Sequence, residues 1–259
     1  MHPARIAELL QPFLSPTPCH SERPHREESA VLSATQLQSI STYIDMLQHW
    51  NARINLTAIR NEEDIVTRHF GESFFAARHL LPKPAFSRKD KTSDSYQGTA
   101  SSRADSEPQK GTRALAPEGG ATRVADLGSG AGFPGIPIKL WAPNIALTLI
   151  ESNHKKATFL REVARALTLT DINIQNVRAE TLPQSTFDMV TLRAIERFAE
   201  ILPVAARLLV PAGRLALLIG DSQADIARFI LPTFAWDPPI PIPQSQSRVL
   251  LTGTVEPSM

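Results

Sequence analysis

At 259 residues with 42% hydrophobic content, the chain can bury one good core and a small second unit. Its 27 Lys and Arg against 26 Asp and Glu leave a net charge of +1, which excludes a global basic field, so any RNA-binding surface has to be a local patch. The single cysteine, Cys19, excludes intramolecular disulfides and a multi-cysteine metal site.

Ile6, Leu9, Leu10 and Phe13 recur at helical spacing and predict a short amphipathic helix that stops at Pro16. It follows Met1-His2-Pro3-Ala4-Arg5, with no signal-peptide core, and no apolar run approaches a membrane span. A cytoplasmic protein without membrane association or bound metal is expected. Residues 15–30 are too polar and proline-rich to pack and are expected to be flexible. Ser33 with Gln36 forms a capping box, and Leu32 can staple onto Leu37, so a second helix starts here with Leu37, Ile40, Ile44 and Leu47 as its buried stripe. Asn61 with Asp64 marks a third start, with Ile65, Val66, Phe70, Phe74, Ala77 and Leu81 on its apolar face. Residues 1–82 thus predict an N-terminal helical cap. Residues 83–121 carry almost no large apolar groups and predict a disordered insert.

Residues 122–259 predict the catalytic domain, as strands and helices alternate: strand 123–126, helix from Gly135, strand 145–150, helix 154–167, strands 172–177 and 187–192, helix 197–209, strand 213–219, helix 222–230. That alternation predicts a doubly wound, Rossmann-like α/β sheet, closed by antiparallel strands in the tail. Its first turn is the most informative stretch. Asp126-Leu127-Gly128-Ser129-Gly130-Ala131-Gly132 places glycines at every second position after an acid, where positive φ and close ligand approach are both possible. A dinucleotide fingerprint needs glycine at position 133, where Phe133 stands; the observed spacing is that of S-adenosylmethionine (SAM) methyltransferases.

Ligands in such sheets sit beyond the carboxyl ends of the strands, so the residues there are the candidates. Asp126, Gly128 and Gly130 belong to the first turn. Glu151 ends the second strand about 20 residues later, where an acid can bind both ribose hydroxyls; otherwise it is a solvated strand-end carboxylate. Ala179 and Glu180 follow the third strand and can meet the adenine, or Glu180 is a helix-start acid. Phe133 lies at the mouth of the turn or in the core. Arg193, after the fourth strand, faces the ligand or pairs with Glu196 or another local acid. No general base or nucleophilic cysteine is evident at the fourth strand. Guanine N7 presents a lone pair at neutral pH, so methylation there needs only alignment, with Arg193 as a positioning residue. Arg53, Arg60, Arg68 and Arg78 line a phosphate-binding face only if they cluster. His69 and His79 have no second ligand at metal-binding spacing. Asp237-Pro238-Pro239-Ile240 superficially matches an amine-methylation motif but lacks the aromatic and falls near the tail.

These residues together resemble the 16S ribosomal RNA guanine-N7 methyltransferases, the RsmG or GidB family. The matching segments are Asn55-Leu56-Thr57-Ala58-Ile59-Arg60 with Arg68-His69-Phe70, the run from Asp126 to Ile136, Glu151-Ser152-Asn153 with Lys155, Arg178-Ala179-Glu180, and Arg193-Ala194. The resemblance implies SAM held at Gly128, Phe133, Ala179, Glu180 and near Arg193. It implies as substrate the 16S rRNA of the small ribosomal subunit; a monomer is expected. Two departures stand out: Leu192 where the family usually has serine, and Ile219 where it usually has lysine before Gly220. The readings left beside it are a SAM methyltransferase for a small molecule or protein, and a non-catalytic RNA-binding or assembly protein of the same fold.

Overall fold

The computed structural model describes residues 1–15, 31–81 and 120–256. The expectations for Cys19, for residues 16–30 and for all of the insert up to residue 119 fall outside these residues. The chain opens with α1 (Pro3–Leu14) and α2 (Ala34–Asn51). The Ser33–Gln36 capping box is formed, with Gln36 N–H donating to Ser33 Oγ at 3.2 Å and Ser33 N–H to Gln36 Oε1 at 2.8 Å. Asn61 caps the short α3 (Glu62–Asp64), which widens into a π-helical turn, Ile65–Gly71, and then continues as α4 (Glu72–Leu80).

Five parallel strands follow: β1 (Arg123–Leu127), β2 (Ala146–Ile150), β3 (Ile172–Gln175), β4 (Phe187–Arg193) and β5 (Leu209–Gly220), with α5 (Gly135–Trp141), α6 (His154–Ala166), α7 (Phe198–Leu208) and α8 (Ser222–Ile230) among and after them. β6 (Phe234–Trp236), β7 (Ile240–Pro241) and β8 (Arg248–Val255) complete the sheet, β8 running antiparallel to β5. The strand order β3-β2-β1-β4-β5-β8-β6 reverses between β1 and β4, the switch point where the carboxyl ends of two strands leave a crevice. The expected doubly wound sheet and its antiparallel tail are thus present. Strand ends differ from expectation by a few residues, most at β5, whose pairing with β4 starts at Leu209.

The period of two along each strand divides the core. In β5, Leu215, Leu217 and Ile219 pack on α7 and α8, whereas Ala216 and Leu218 face the other way. That other face is covered by α5, α6 and also by the N-terminal helices: Ile6, Ile44, Phe70 and Phe74 share one cluster with Ile136, Leu149 and Phe159. The described N-terminal helices therefore supply part of a helical layer of the sheet. Polar ties cross the same junction, Gln36 Nε2 donating to the Leu140 carbonyl at 2.7 Å and Trp50 Nε1 to Glu162 at 3.0 Å.

Candidate cofactor site

The turn after β1 is held in shape by the end of β2. Gly128 and Ser129 N–H donate to the Ile150 carbonyl at 2.9 and 3.1 Å, and Gly130 N–H donates to the Glu151 carboxylate at 2.9 Å. The other Glu151 oxygen accepts from Asn153 N–H at 2.8 Å. A buried carboxylate needs such donors, and Glu151 is only 7% exposed. Gly128, Gly130 and Gly132 have φ of +65°, +54° and +89°, the left-handed region that makes glycine the suitable residue at each.

A cleft of about 280 Å³ opens beyond the carboxyl ends of β1 to β4, and its wall includes Gly128, Glu151, Ala179, Glu180 and Ile195. Four of the eight candidate cofactor residues are thus brought together around one opening at the switch point. Glu180 stands on a single 3₁₀ turn, Ala179–Thr181. Its carboxyl is held below the usual range, first by a hydrogen bond from its own backbone N–H and then by Arg178. Gly130 contributes from one step behind, by fixing the Glu151 carboxylate.

Asp126, Phe133 and Arg193 lie off the cleft wall. Asp126 is 1% exposed and braces the turn from beneath, with Thr191 Oγ1 at 2.9 Å and Gly135 N–H donating at 3.2 Å. Burial pushes its carboxyl up to about 7, against the opposing pull of those hydrogen bonds. Asp126 is therefore a support of the turn and lies off the cleft wall. Phe133 is the core residue of its two alternatives. Its ring is sandwiched between Tyr43 (5.3 Å between centroids) and His69 (4.7 Å), with Phe70 edge-on at 5.0 Å. The Phe133–Pro134 bond is cis. Tyr43 Oη also donates to the Ala131 carbonyl, so α2 grips the glycine turn directly.

Arg193 is an ion-pair residue, and its acid is neither local nor Glu196. It pairs with Glu72, 121 residues away, through Nε at 3.3 Å and Nη2 at 3.1 Å, with side chains 9% and 4% exposed. Nη2 also donates to the Arg68 carbonyl at 2.6 Å, and Nη1 lies 3.0 Å from His69 Nδ1. A guanidinium has no acceptor. Nδ1 must therefore accept, and the imidazole is the neutral tautomer whose Nε2–H donates to Thr57 Oγ1 at 2.8 Å. Burial, followed by the positive charges of Arg193, Arg68 and Arg248, pushes His69 down to about 3. The π-helical turn is what places the Arg68 carbonyl and the His69 ring together at this point.

Of the other arginines, Arg60 donates to the Asn51 carbonyl at 3.0 Å and Arg78 to the Ser15 carbonyl. His79 Nδ1 donates to the Phe75 carbonyl at 2.8 Å. Asp237 meets Thr252 and lies 3.8 Å from Arg214, in the sheet's tail. Sequence reasoning missed Tyr43, Glu72 and Arg248. Glu72 did carry a signal, as a carboxylate inside the apolar run from Phe70 to Ala77.

The chain matches the GidB family, described as rRNA small subunit methyltransferase G, over residues 36–85 and 114–228. Its relatives include proteins named ribosomal RNA small subunit methyltransferase G. That of Xylella fastidiosa is 34% identical over 179 residues, 69% of this chain and 66% of its own. That of Listeria monocytogenes is 31% identical over 204 residues, 77% of this chain and 70% of its own. That of Halorhodospira halophila is 32% identical over 190 residues, 73% of this chain and 72% of its own.

Proposed function

Because this chain belongs to the GidB family of rRNA small subunit methyltransferases, we propose that it transfers a methyl group from SAM to N7 of a guanine in 16S ribosomal RNA. The observation that carries the assignment of the cofactor is the glycine turn, braced by Glu151 and opening on a cleft at the sheet's switch point. A SAM molecule fits the chemistry of that wall. The left-handed backbone at Gly128 leaves room for a ligand, the remaining lone pairs of Glu151 suit ribose hydroxyls, and the Ala179–Glu180 turn offers polar groups to an adenine. When bound, SAM supplies a methyl group activated by its sulfonium.

The protein's contribution to the reaction is placement. Among the described residues the cleft wall has no cysteine, histidine or lysine, and its two carboxylates are engaged, Glu151 by the Gly130 and Asn153 N–H groups and Glu180 by Arg178. His69, the nearest imidazole to Arg193, has both nitrogens engaged and is held neutral. An exocyclic amine or a ring carbon calls for a base or a nucleophile. Guanine N7 attacks through a lone pair it already has, so holding it in line with the methyl group is sufficient. Arg193 acts at one remove, by locking the β4 end against the π-helical turn. In this reading the enzyme works as a cytoplasmic monomer, without a metal ion, on the RNA of the small ribosomal subunit.

Labelled SAM incubated with small subunits lacking the modification should transfer its methyl to 16S rRNA and create 7-methylguanine. That base becomes a strand-cleavage site after borohydride and aniline treatment. Transfer without a new aniline-sensitive guanine refutes the N7 assignment; transfer only to protein or to a small molecule refutes the RNA assignment. SAM binding without any transfer would leave an RNA-binding or assembly role.

A further inference from the structure

A second cavity, of about 610 Å³, has on its wall Glu72, the ion-pair partner of Arg193. Its walls are the π-helical turn, which supplies Arg68, the start of α4, which supplies Glu72, and the segment leading into β8, which supplies Ser245, Ser247 and Arg248. Arg248 pairs in register with Gly220 at the carboxyl end of β5, so this cavity and the cleft share one edge of the sheet. A single residue, Ala194, separates Arg193, which is bonded to Glu72, from Ile195 on the cleft wall.

The charges here do not balance. Arg68, Arg193 and Arg248 all act on the same buried His69, and Arg68 and Arg248 both act on Arg193. Among the described residues Glu72 is the one acid paired with any of them, and its contacts with Arg193 and Arg248 all fall on Oε2. Arg248 Nε lies 3.0 Å from that oxygen, yet out of hydrogen-bonding alignment, so a buried donor is left unused. The exposed guanidinium of Arg68 has no hydrogen-bond or ion-pair partner among the described residues. Asp64, on the rim of the cavity, caps its helix only through its backbone N–H, which donates to Asn61 Oδ1 at 3.2 Å, so its carboxylate is a second acid here and three guanidiniums face two carboxylates. Two cations with unspent donors, beside the serine hydroxyls of 245 and 247, form a site for a tetrahedral oxyanion.

We propose that this cavity seats a backbone phosphate of the RNA substrate, held by Arg68 and Arg248, next to the nucleotide whose base enters the cofactor cleft. The proposal rests on the reading of the chain as an RNA methyltransferase, and the wild-type protein tests that reading separately. Arg68 is exposed and its guanidinium makes no hydrogen bond or ion pair among the described residues, so Arg68→Ala should fold normally. Binding of the wild type, Arg68→Ala and Arg161→Ala to 16S rRNA and to small subunits is measured across a salt series, with SAM affinity by calorimetry. Arg161, an exposed cation on α6, controls for loss of any single charge. Arg68→Ala should weaken RNA binding and raise the RNA KM by about tenfold, and lower the salt slope by about one. Its SAM affinity and kcat at saturating RNA should stay within about twofold of wild type. Inorganic phosphate should compete with RNA for the wild type more effectively than for Arg68→Ala. The proposal is overturned if Arg68→Ala binds RNA with unchanged affinity and slope, or if Arg161→Ala loses as much. A wild type that binds no RNA removes the functional reading and this site with it, whereas an active wild type with a neutral Arg68→Ala removes the site alone.

Discussion

Replacing Asp126 with Asn removes a proton that the fold holds well above the ordinary carboxyl range. Burial raises the carboxyl from 3.8 to about 7. Between those values the folded chain keeps the proton and the unfolded chain has lost it, so stability falls as pH rises, by up to about 1.4 kcal/mol per pH unit. His69 does the opposite. Its folded value is lowered from 6.5 to about 3, so the unfolded chain takes up a proton below 6.5 that the folded chain refuses. The His69 contribution is complete above pH 6.5 and is lost as pH falls toward about 3. From about pH 4 to 6.5 one group binds an extra proton in the folded state and the other in the unfolded state, and their slopes cancel.

Asn at 126 keeps the shape of a protonated carboxyl, and its amide can donate to Thr191 Oγ1, which itself lies 3.3 Å from the Ala125 carbonyl. With the Asp126 slope gone, that of His69 is uncovered. The variant should lose up to about 1.4 kcal/mol of stability per pH unit below pH 6.5, beyond any loss in the wild type. Equivalently, its stability relative to wild type should climb with pH and level off near 7, by up to about 4 kcal/mol in total. Urea unfolding of both proteins at several values between about pH 4.5 and 7.5 measures the difference directly. A difference that stays constant over that range means that Asp126 is ionised in the fold, and the reasoning from burial fails.

Arg193→Ala should unfold more readily by about 3 kcal/mol, because it strips Glu72 of its best partner inside the core. An unchanged denaturation midpoint would contradict this. The glycine turn offers a contrast between two positions. A Cβ at Gly132 meets Ile136 Cδ1 at 2.7 Å as well as Tyr43 Oη, so Gly132→Ala should cost about 2 kcal/mol or more in thermal unfolding. A Cβ at Gly130 meets nothing nearer than the Gly128 carbonyl at 3.7 Å, so Gly130→Val should remain folded, with strain from its positive φ, and should instead lose SAM affinity in calorimetry. Undiminished SAM binding by a folded Gly130→Val protein would sink the assignment of this turn to the cofactor.

What the amino-acid order determined by itself is everything set by short-range pattern. The Ser33 and Asn61 caps, the alternation of strands with helices after residue 122 and the glycine spacing after Asp126 depend on residues a few positions apart, whose hydrogen bonds and periodicity are local. The placement of Gly128, Glu151, Ala179 and Glu180 on one cleft followed from the same pattern, because a doubly wound sheet sends all its strand ends to one edge. Tertiary structure alone decided which side of that edge each remaining residue faces. Phe133 had equal claims to the ligand and the core until Tyr43, 90 residues earlier in the numbering, and His69 closed on its two faces. Arg193 found its acid across 121 residues in Glu72, and Arg68 joined Arg248 in place of the arginines nearest to it in sequence. Such partners carry no periodicity to read. They are selected when burial leaves a charge or a ring with one neighbour that can satisfy it, and only the folded chain defines that neighbour.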